Sequence, residues 1–298
     1  MNTTVLHRVQ KAPSLARTVL GIFKLRIGVL ITISALAGLA ITPGPAVGIV
    51  PGIVLALSVL VASASAGAFN QFYEAEADKL MARTRGRAFA SGALTASPLW
   101  LGLIAALLLL SVGATAWIVN PVAALFIFLG AFFYGVVYTV WLKRRTWANI
   151  VVGGLSGSFA VLAGAAAVDP SLGALPLLLA LVLFLWTPPH FWSLAIAAQA
   201  DYAAAGVPML PVVVGVPRAA RIVHTSAIVL VAVSLLPILF GAGPLVLAGA
   251  LLGGAYFLRK TQALARTPTR ATAMASFFGS MVQLSALLAA VAIDAALR

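Results

Sequence analysis

Asn70-Gln71-Phe72-Tyr73-Glu74-Ala75-Glu76-Ala77-Asp78-Lys79-Leu80-Met81-Ala82-Arg83-Thr84-Arg85-Gly86-Arg87 is the stretch around which the rest of the chain is arranged. Three of the chain's six acidic residues fall here within five positions, and four basic residues follow at once. On either side the sequence turns apolar, with one run ending at residue 69 and another starting near residue 98. An α-helix needs about 20 apolar residues to cross a ~30 Å hydrocarbon core, and runs of that length recur along the chain. A charged connection between two such runs marks a polytopic membrane protein.

Composition agrees. Hydrophobic residues make up 62% of the chain and charged residues 8%, with a mean hydropathy of +1.10. Soluble domains carry roughly a quarter charged residues, so this chain lacks the polar surface to face water all round. The apolar runs do not alternate with polar residues as the strands of a membrane barrel do. The expected class is all-α, one bundle of about nine transmembrane helices over residues 21–298, preceded by a basic tail over 1–20. The net charge of +13 reflects orientation in the membrane, and no nucleic-acid partner is expected. The chain has no cysteine, which excludes disulfides, thiolate metal sites and cysteine nucleophiles.

The nine expected crossings are 22–41, 47–69, 98–119, 121–141, 150–168, 173–198, 222–240, 244–258 and 272–294. Their alternate connections hold every Lys and Arg except Arg298: Arg8 to Arg26, Lys79 to Arg87, Lys143 to Arg145, Arg218 and Arg221, and Arg259 to Arg270. The positive-inside rule then places the N-terminus in the cytoplasm. An alanine-rich chain without a transit peptide points to the inner membrane of a bacterium, with membrane lipid as its surroundings.

Asn70, Glu74 and Asp78 recur every four residues, so on a helix they form one stripe. One amide and two carboxylates are hard oxygen donors, and they suit Mg²⁺, which typically bridges one or two carboxylates to substrate phosphates. The plainer reading is a solvated helix pairing with Lys79 and Arg83 at helical spacing. Arg83, Arg85, Arg87 and Lys143-Arg144-Arg145 serve as topology determinants, or beside a metal they neutralise a diphosphate. Trp186-Thr187-Pro188-Pro189-His190-Phe191-Trp192 lies inside the sixth crossing. Its prolines predict a kinked or broken helix, and the flanking tryptophans suggest a wall for a large flat ligand. Asp201, in the next connection, is read either as a second metal position or as a helix cap.

Taken together, Asn70 to Arg87, Leu142-Lys143-Arg144-Arg145-Thr146, Asn149-Ile150-Val151 with Gly153-Gly154, Trp186 to Trp192, and Asp201-Tyr202 through Pro211-Val212-Val213 resemble one family. It is the heme O synthase (protoheme IX farnesyltransferase) branch of the intramembrane aromatic prenyltransferases, and the resemblance runs from about residue 20 to 240. It implies farnesyl diphosphate as donor, heme b as acceptor, Mg²⁺ as cofactor, and a link to the enzyme that makes heme A. It implies catalytic roles for Asn70, Glu74, Asp78 and Asp201, with the metal on the first three. Arg83, Arg87, Lys143, Arg144 and Arg145 would bind diphosphate or heme propionates, and His190, Trp186 and Trp192 would contact heme. The chain departs from the family at Glu74 and Glu76, where Asp is usual, at Ala88 and Ala160-Val161, where Pro is usual, and at Ala198-Gln199-Ala200, where the family has two basic residues and an Asp. Other readings are prenylation of a quinone precursor, a heme-binding relative without turnover, and a transporter working through a broken sixth helix.

Overall fold

A computed structural model of the protein describes residues 15–297. Arg8, Lys11 and most of the expected basic tail lie outside the described residues. Among the described residues the secondary structure is helical throughout, with no strand. A short helix α1 (Leu15–Ile22) leads into α2 (Leu25–Ile41) and α3 (Ile49–Tyr73), and a five-residue α4 (Ala75–Lys79) follows. Next come α5 (Pro98–Ile118) and α6 (Pro121–Phe132), which continues as a π-helical segment, Phe133–Leu142. The chain goes on through α7 (Asn149–Gly153), α8 (Leu155–Val168), α9 (Ala174–Ala197), α10 (Gln199–Ala204) and α11 (Leu210–Val214). It finishes with α12 (Val216–Ser234), a 3₁₀ turn (Leu236–Phe240), α13 (Pro244–Arg266) and α14 (Arg270–Ala296).

Seven helical stretches among the described residues are long and apolar enough to cross a membrane: Ile49–Tyr73, Pro98–Ile118, Pro121–Leu142, Asn149–Val168, Ala174–Ala197, Val216–Phe240 and Arg270–Ala296. The chain is a multi-pass membrane protein. Two more helices stand where the sequence places its first and eighth crossings. One is α2, apolar but only 17 residues long. The other is α13, which does not stop at residue 258 but runs on through Arg259 and Lys260 to Arg266. Long basic side chains tolerate this because their stems lie along apolar surface while the charged heads reach water. Lys260 does so over the Tyr256 ring, 5.1 Å from its centroid.

At the sixth crossing, where the prolines predict a kinked or broken helix, the break is absent. Helix α9 is continuous from Ala174 to Ala197 with Pro188 and Pro189 inside it, so it is not broken. Nearby hydroxyls bond the backbone on both sides of the prolines: Thr187 donates to the Leu183 carbonyl at 3.0 Å and Ser193 to the Pro189 carbonyl at 2.6 Å. Serine and threonine side chains commonly do this around membrane prolines.

Within a membrane, helices associate by close packing rather than by the hydrophobic effect, and small residues let backbones approach. The α2–α8 crossing depends on two of them. A Cβ at Gly38 would overlap the Val161 carbonyl, and one at Gly164 would overlap the Ala35 carbonyl. This crossing fixes α2, and with it the turn that carries Lys24. Gly164→Ala is therefore expected to cost about 1–3 kcal/mol through overpacking, read as a lower unfolding temperature in detergent. Gly157→Ala on the same helix, where a Cβ would meet open space, is expected to be neutral or slightly stabilising.

Candidate active site

The charged residues meet at one end of the bundle. Helix α3 ends at Tyr73, and Glu74 takes a non-helical backbone (φ −93°, ψ 9°) before α4 begins. The i→i+4 bonding nevertheless carries through the break, from the Glu74 N–H to the Asn70 carbonyl (3.0 Å) and from the Asp78 N–H to the Glu74 carbonyl (2.8 Å). Asn70, Glu74 and Asp78 thus keep a common inward direction across two helices, and all three are buried. Glu76 points away and pairs with Lys79 in the open, at 2.6 Å.

The buried acids do not pair with Lys79 and Arg83, as the plainer reading expects. Lys143 Nζ stands 2.5 Å from the Glu74 carboxylate, both side chains nearly inaccessible. Arg87 donates from Nη1 to both oxygens of Asp78, at 3.0 and 2.8 Å. Asn70 joins the first pair, donating from Nδ2 to Glu74 (2.8 Å) and to the Thr139 hydroxyl (3.1 Å), while its Oδ1 accepts from Lys24 Nζ at 2.7 Å. Lys24 also reaches the Tyr134 hydroxyl at 3.3 Å.

The π-helical segment decides this geometry. Tyr134 and Lys143 are nine residues apart, which in an α-helix is two and a half turns and puts them on opposite faces. Bonding from i to i+5 widens the turn, so nine residues make roughly two turns and the same face returns. Lys143 N–H bonds the Tyr138 carbonyl in this pattern at 2.9 Å. The Thr139 hydroxyl bonds the Tyr134 carbonyl, five residues back, at 2.8 Å. Tyr134, Tyr138, Thr139 and Lys143 consequently all address the stripe, with Lys143 5.8 Å from the Tyr138 ring centroid. Gln71, beside Asn70, donates to the Gly21 and Ile22 carbonyls at 3.1 Å each. That tie anchors the turn holding Lys24, whose backbone is left-handed (φ 47°).

The remaining expected residues divide. Arg144 and Arg145 are exposed, unlike their neighbour Lys143, so the basic triplet does not act as a unit. Arg83 reaches the Tyr202 hydroxyl from Nη2 at 3.5 Å and lines a cleft of about 550 Å³ together with Asp201. Burial holds the Tyr202 phenol above its ordinary range, against the pull of Arg83. His190 is not at the wall of an open slot. Trp186 covers one face of its ring (centroids 4.0 Å apart) and Phe277 stacks on it at 4.4 Å. Its Nδ1 meets the Ser280 hydroxyl at 2.7 Å, while the Trp186 indole donates to the Ser280 carbonyl at 2.8 Å. Trp192 is buried, tilted against Trp147 at 6.2 Å. With Trp186 and Phe277 stacked on its ring, His190 takes part in the α9–α14 packing.

Asn70, Glu74 and Asp78 present an amide oxygen and two carboxylates, and that donor set fits Mg²⁺. Among the described residues no three His, Cys, Asp or Glu side chains cluster as a metal site on their own. A site that shares its ion with a diphosphate needs only one or two carboxylates.

The overall arrangement is shared with solved membrane proteins. A digeranylgeranylglyceryl phosphate synthase aligns with a TM-score of 0.77 at 19% identity, over 94% of this chain and 98% of that one. A UbiA homolog from Archaeoglobus fulgidus bound to DMAPP and Mg²⁺ aligns with a TM-score of 0.69 at 16% identity, over 91% of this chain and 99% of that one. The fold is that of the membrane-embedded prenyltransferases. The profile of the UbiA prenyltransferase family matches residues 31–285, and the chain belongs to that family. Two relatives come from Paramagnetospirillum magneticum. Protoheme IX farnesyltransferase 2 is 57% identical, over 92% of this chain and 95% of its own length. Protoheme IX farnesyltransferase 1 is 43% identical, over 93% of this chain and 98% of its own.

Removing one member of a buried ion pair strands the other, which costs about 3–5 kcal/mol. Glu74→Gln is expected to destabilise the protein by that order, measured as thermal unfolding in detergent. Adding Lys143→Met to it is expected to restore most of the loss.

Proposed function

We propose that this protein transfers the farnesyl group of farnesyl diphosphate to a vinyl group of heme b, giving heme O. The observation that carries the reading is the pair of carboxylate–cation bridges at one end of the helical bundle, the buried Glu74–Lys143, which Asn70 joins, and the part-buried Asp78–Arg87. Such bridges are ready to change partners when a metal diphosphate arrives. Asn70, Glu74 and Asp78 would hold the metal, and Lys143, Arg87 and Lys24 would turn to the diphosphate oxygens. Mg²⁺ bound there supplies charge stabilisation to the departing diphosphate. The relatives named protoheme IX farnesyltransferase support heme b as the acceptor.

In the reaction, the C1–O bond of farnesyl diphosphate breaks and its electron pair leaves with the diphosphate. Lys143 and Arg87 stabilise the charge that builds up there. The vinyl group attacks the allylic cation at C1, and water adds to the new cation and loses a proton, leaving a hydroxyethylfarnesyl arm. The bundle's apolar interior keeps water from the first cation. The Tyr134 and Tyr138 rings lie beside the cluster, under Lys24 and Lys143, and an aromatic face attracts a cation.

The same reading places nine helices across the inner membrane of a bacterium, with the N-terminus and the charged end in the cytoplasm. α2 and α13 are then the first and eighth crossings. Heme O passes to the enzyme that forms heme A. A transporter is disfavoured because α9 is continuous.

Purified protein incubated without oxygen with farnesyl diphosphate, heme b and Mg²⁺ is expected to yield a porphyrin of heme O mass. Asp78→Ala, or EDTA, is expected to reduce that product about 100-fold or more. Heme b returned unchanged by the unaltered protein would overturn the reading.

A further inference from the structure

Helix α13 carries a basic pair that no motif above accounts for. Tyr256, Arg259, Lys260 and Ala263 recur at helical spacing, so they share one face of the helix, and together they line a hollow of about 250 Å³. α13 packs against α12 and α14, which belong to stretches long and apolar enough to cross a membrane, so its exposed face meets lipid. We infer that the hollow binds one anionic phospholipid, its phosphate held by Arg259 and Lys260 and an acyl chain lying along the Tyr256 ring and Leu252.

The position of the pair separates it from ordinary topology determinants, which act from the loops and helix ends. α13 runs on past Arg259 and Lys260 to Arg266, which sets the pair back from the helix end by about 10 Å at 1.5 Å per residue. Toward the hydrocarbon an unneutralised charge is costly, and no carboxylate is at hand to neutralise it. α12 and α13 contain no Asp or Glu, and the one in α14, Asp294, lies near the far end of that helix. The anion that a bilayer itself supplies near this level is the lipid phosphate. Basic pockets between transmembrane helices are known to bind anionic head groups, and a guanidinium can grip a phosphate with two parallel hydrogen bonds.

The Lys260 side chain is also held in place. A Cβ at Gly279 of α14 would come 3.1 Å from the Lys260 Cγ and 3.2 Å from its Cβ, so the glycine gives the lysine stem a bed between the two helices. From that bed the ammonium lies 5.1 Å from the Tyr256 ring centroid, with the exposed Arg259 beside it. Leu252, one turn beyond Tyr256 on the same face, is 74% exposed and continues the surface in apolar form. A cationic head above an apolar stem matches the two parts of a phospholipid, whereas inorganic phosphate would engage only the head.

The inference is independent of which acceptor is prenylated. Delipidated protein in detergent is titrated with phosphatidylglycerol, phosphatidylcholine and inorganic phosphate, and the bound species are counted by native mass spectrometry. One phosphatidylglycerol is expected to bind about 10-fold more tightly than phosphatidylcholine. Arg259→Gln and Lys260→Gln are each expected to weaken phosphatidylglycerol binding about 10-fold through loss of a charge-assisted hydrogen bond, leaving phosphatidylcholine binding unchanged. Arg259→Gln, on an exposed side chain, decides the matter if Lys260→Gln disturbs the α13–α14 packing. Arg266→Gln removes the same charge from the last turn of the same helix and is expected to leave phosphatidylglycerol binding unchanged. An equal loss in Arg266→Gln makes the attraction a diffuse property of the basic surface and overturns the inference. Equal binding of the two lipids by the unaltered protein, or displacement of phosphatidylglycerol by inorganic phosphate at the same concentration, also overturns it.

Discussion

Everything at the charged end follows from the contact between Glu74 and Lys143. A buried carboxylate or ammonium is tolerable only when paired and hydrogen-bonded. Here the pair is closed off further by Asn70, which bonds Glu74 on one side and Lys24 and Thr139 on the others. Three separate segments are thereby drawn to one point: the α1–α2 turn, the α3–α4 junction and the π-helical segment. Such a cluster stores charge in matched pairs without a ligand and can release it to a ligand whose charges fit.

The local backbone is irregular where the cluster needs it and regular elsewhere. The bend at Glu74 and the wide winding of Phe133–Leu142 both lie at the cluster. Helix α9 passes two prolines without breaking, because nothing in the seam with α14 requires it to open. The aromatic rings of that seam are consumed in packing. Their density in the sequence resembled a ligand wall because a porphyrin and a helix neighbour both favour the same flat apolar side chains.

The cleft lined by Arg83 and Asp201 shows how a departure from a motif reads differently in three dimensions. In sequence, Ala198-Gln199-Ala200 is a loss of charge beside Asp201. In the fold Gln199 turns back to the Pro211 carbonyl at 3.2 Å, the alanines leave room, and Arg270 enters the space from 70 positions further along the chain. Arg218 and Arg221, nearer in sequence, are not among the residues lining it.

By itself the sequence determined the class of fold, the positions of most crossings and the inward stripe of Asn70, Glu74 and Asp78. Apolar runs, basic segregation and four-residue spacing are local properties, and a local property survives folding. Only the tertiary structure decided which cations serve the stripe. Lys24 lies 46 positions from Asn70, and Lys143 lies 69 positions from Glu74. In sequence Lys24 differed in nothing from the other basic residues at helix ends, and Lys143 in nothing from Arg144 and Arg145. What separated them was the winding of the π-helical segment and the close α2–α8 crossing. Both arise from packing between helices distant in sequence, and single-chain periodicity carries no trace of that.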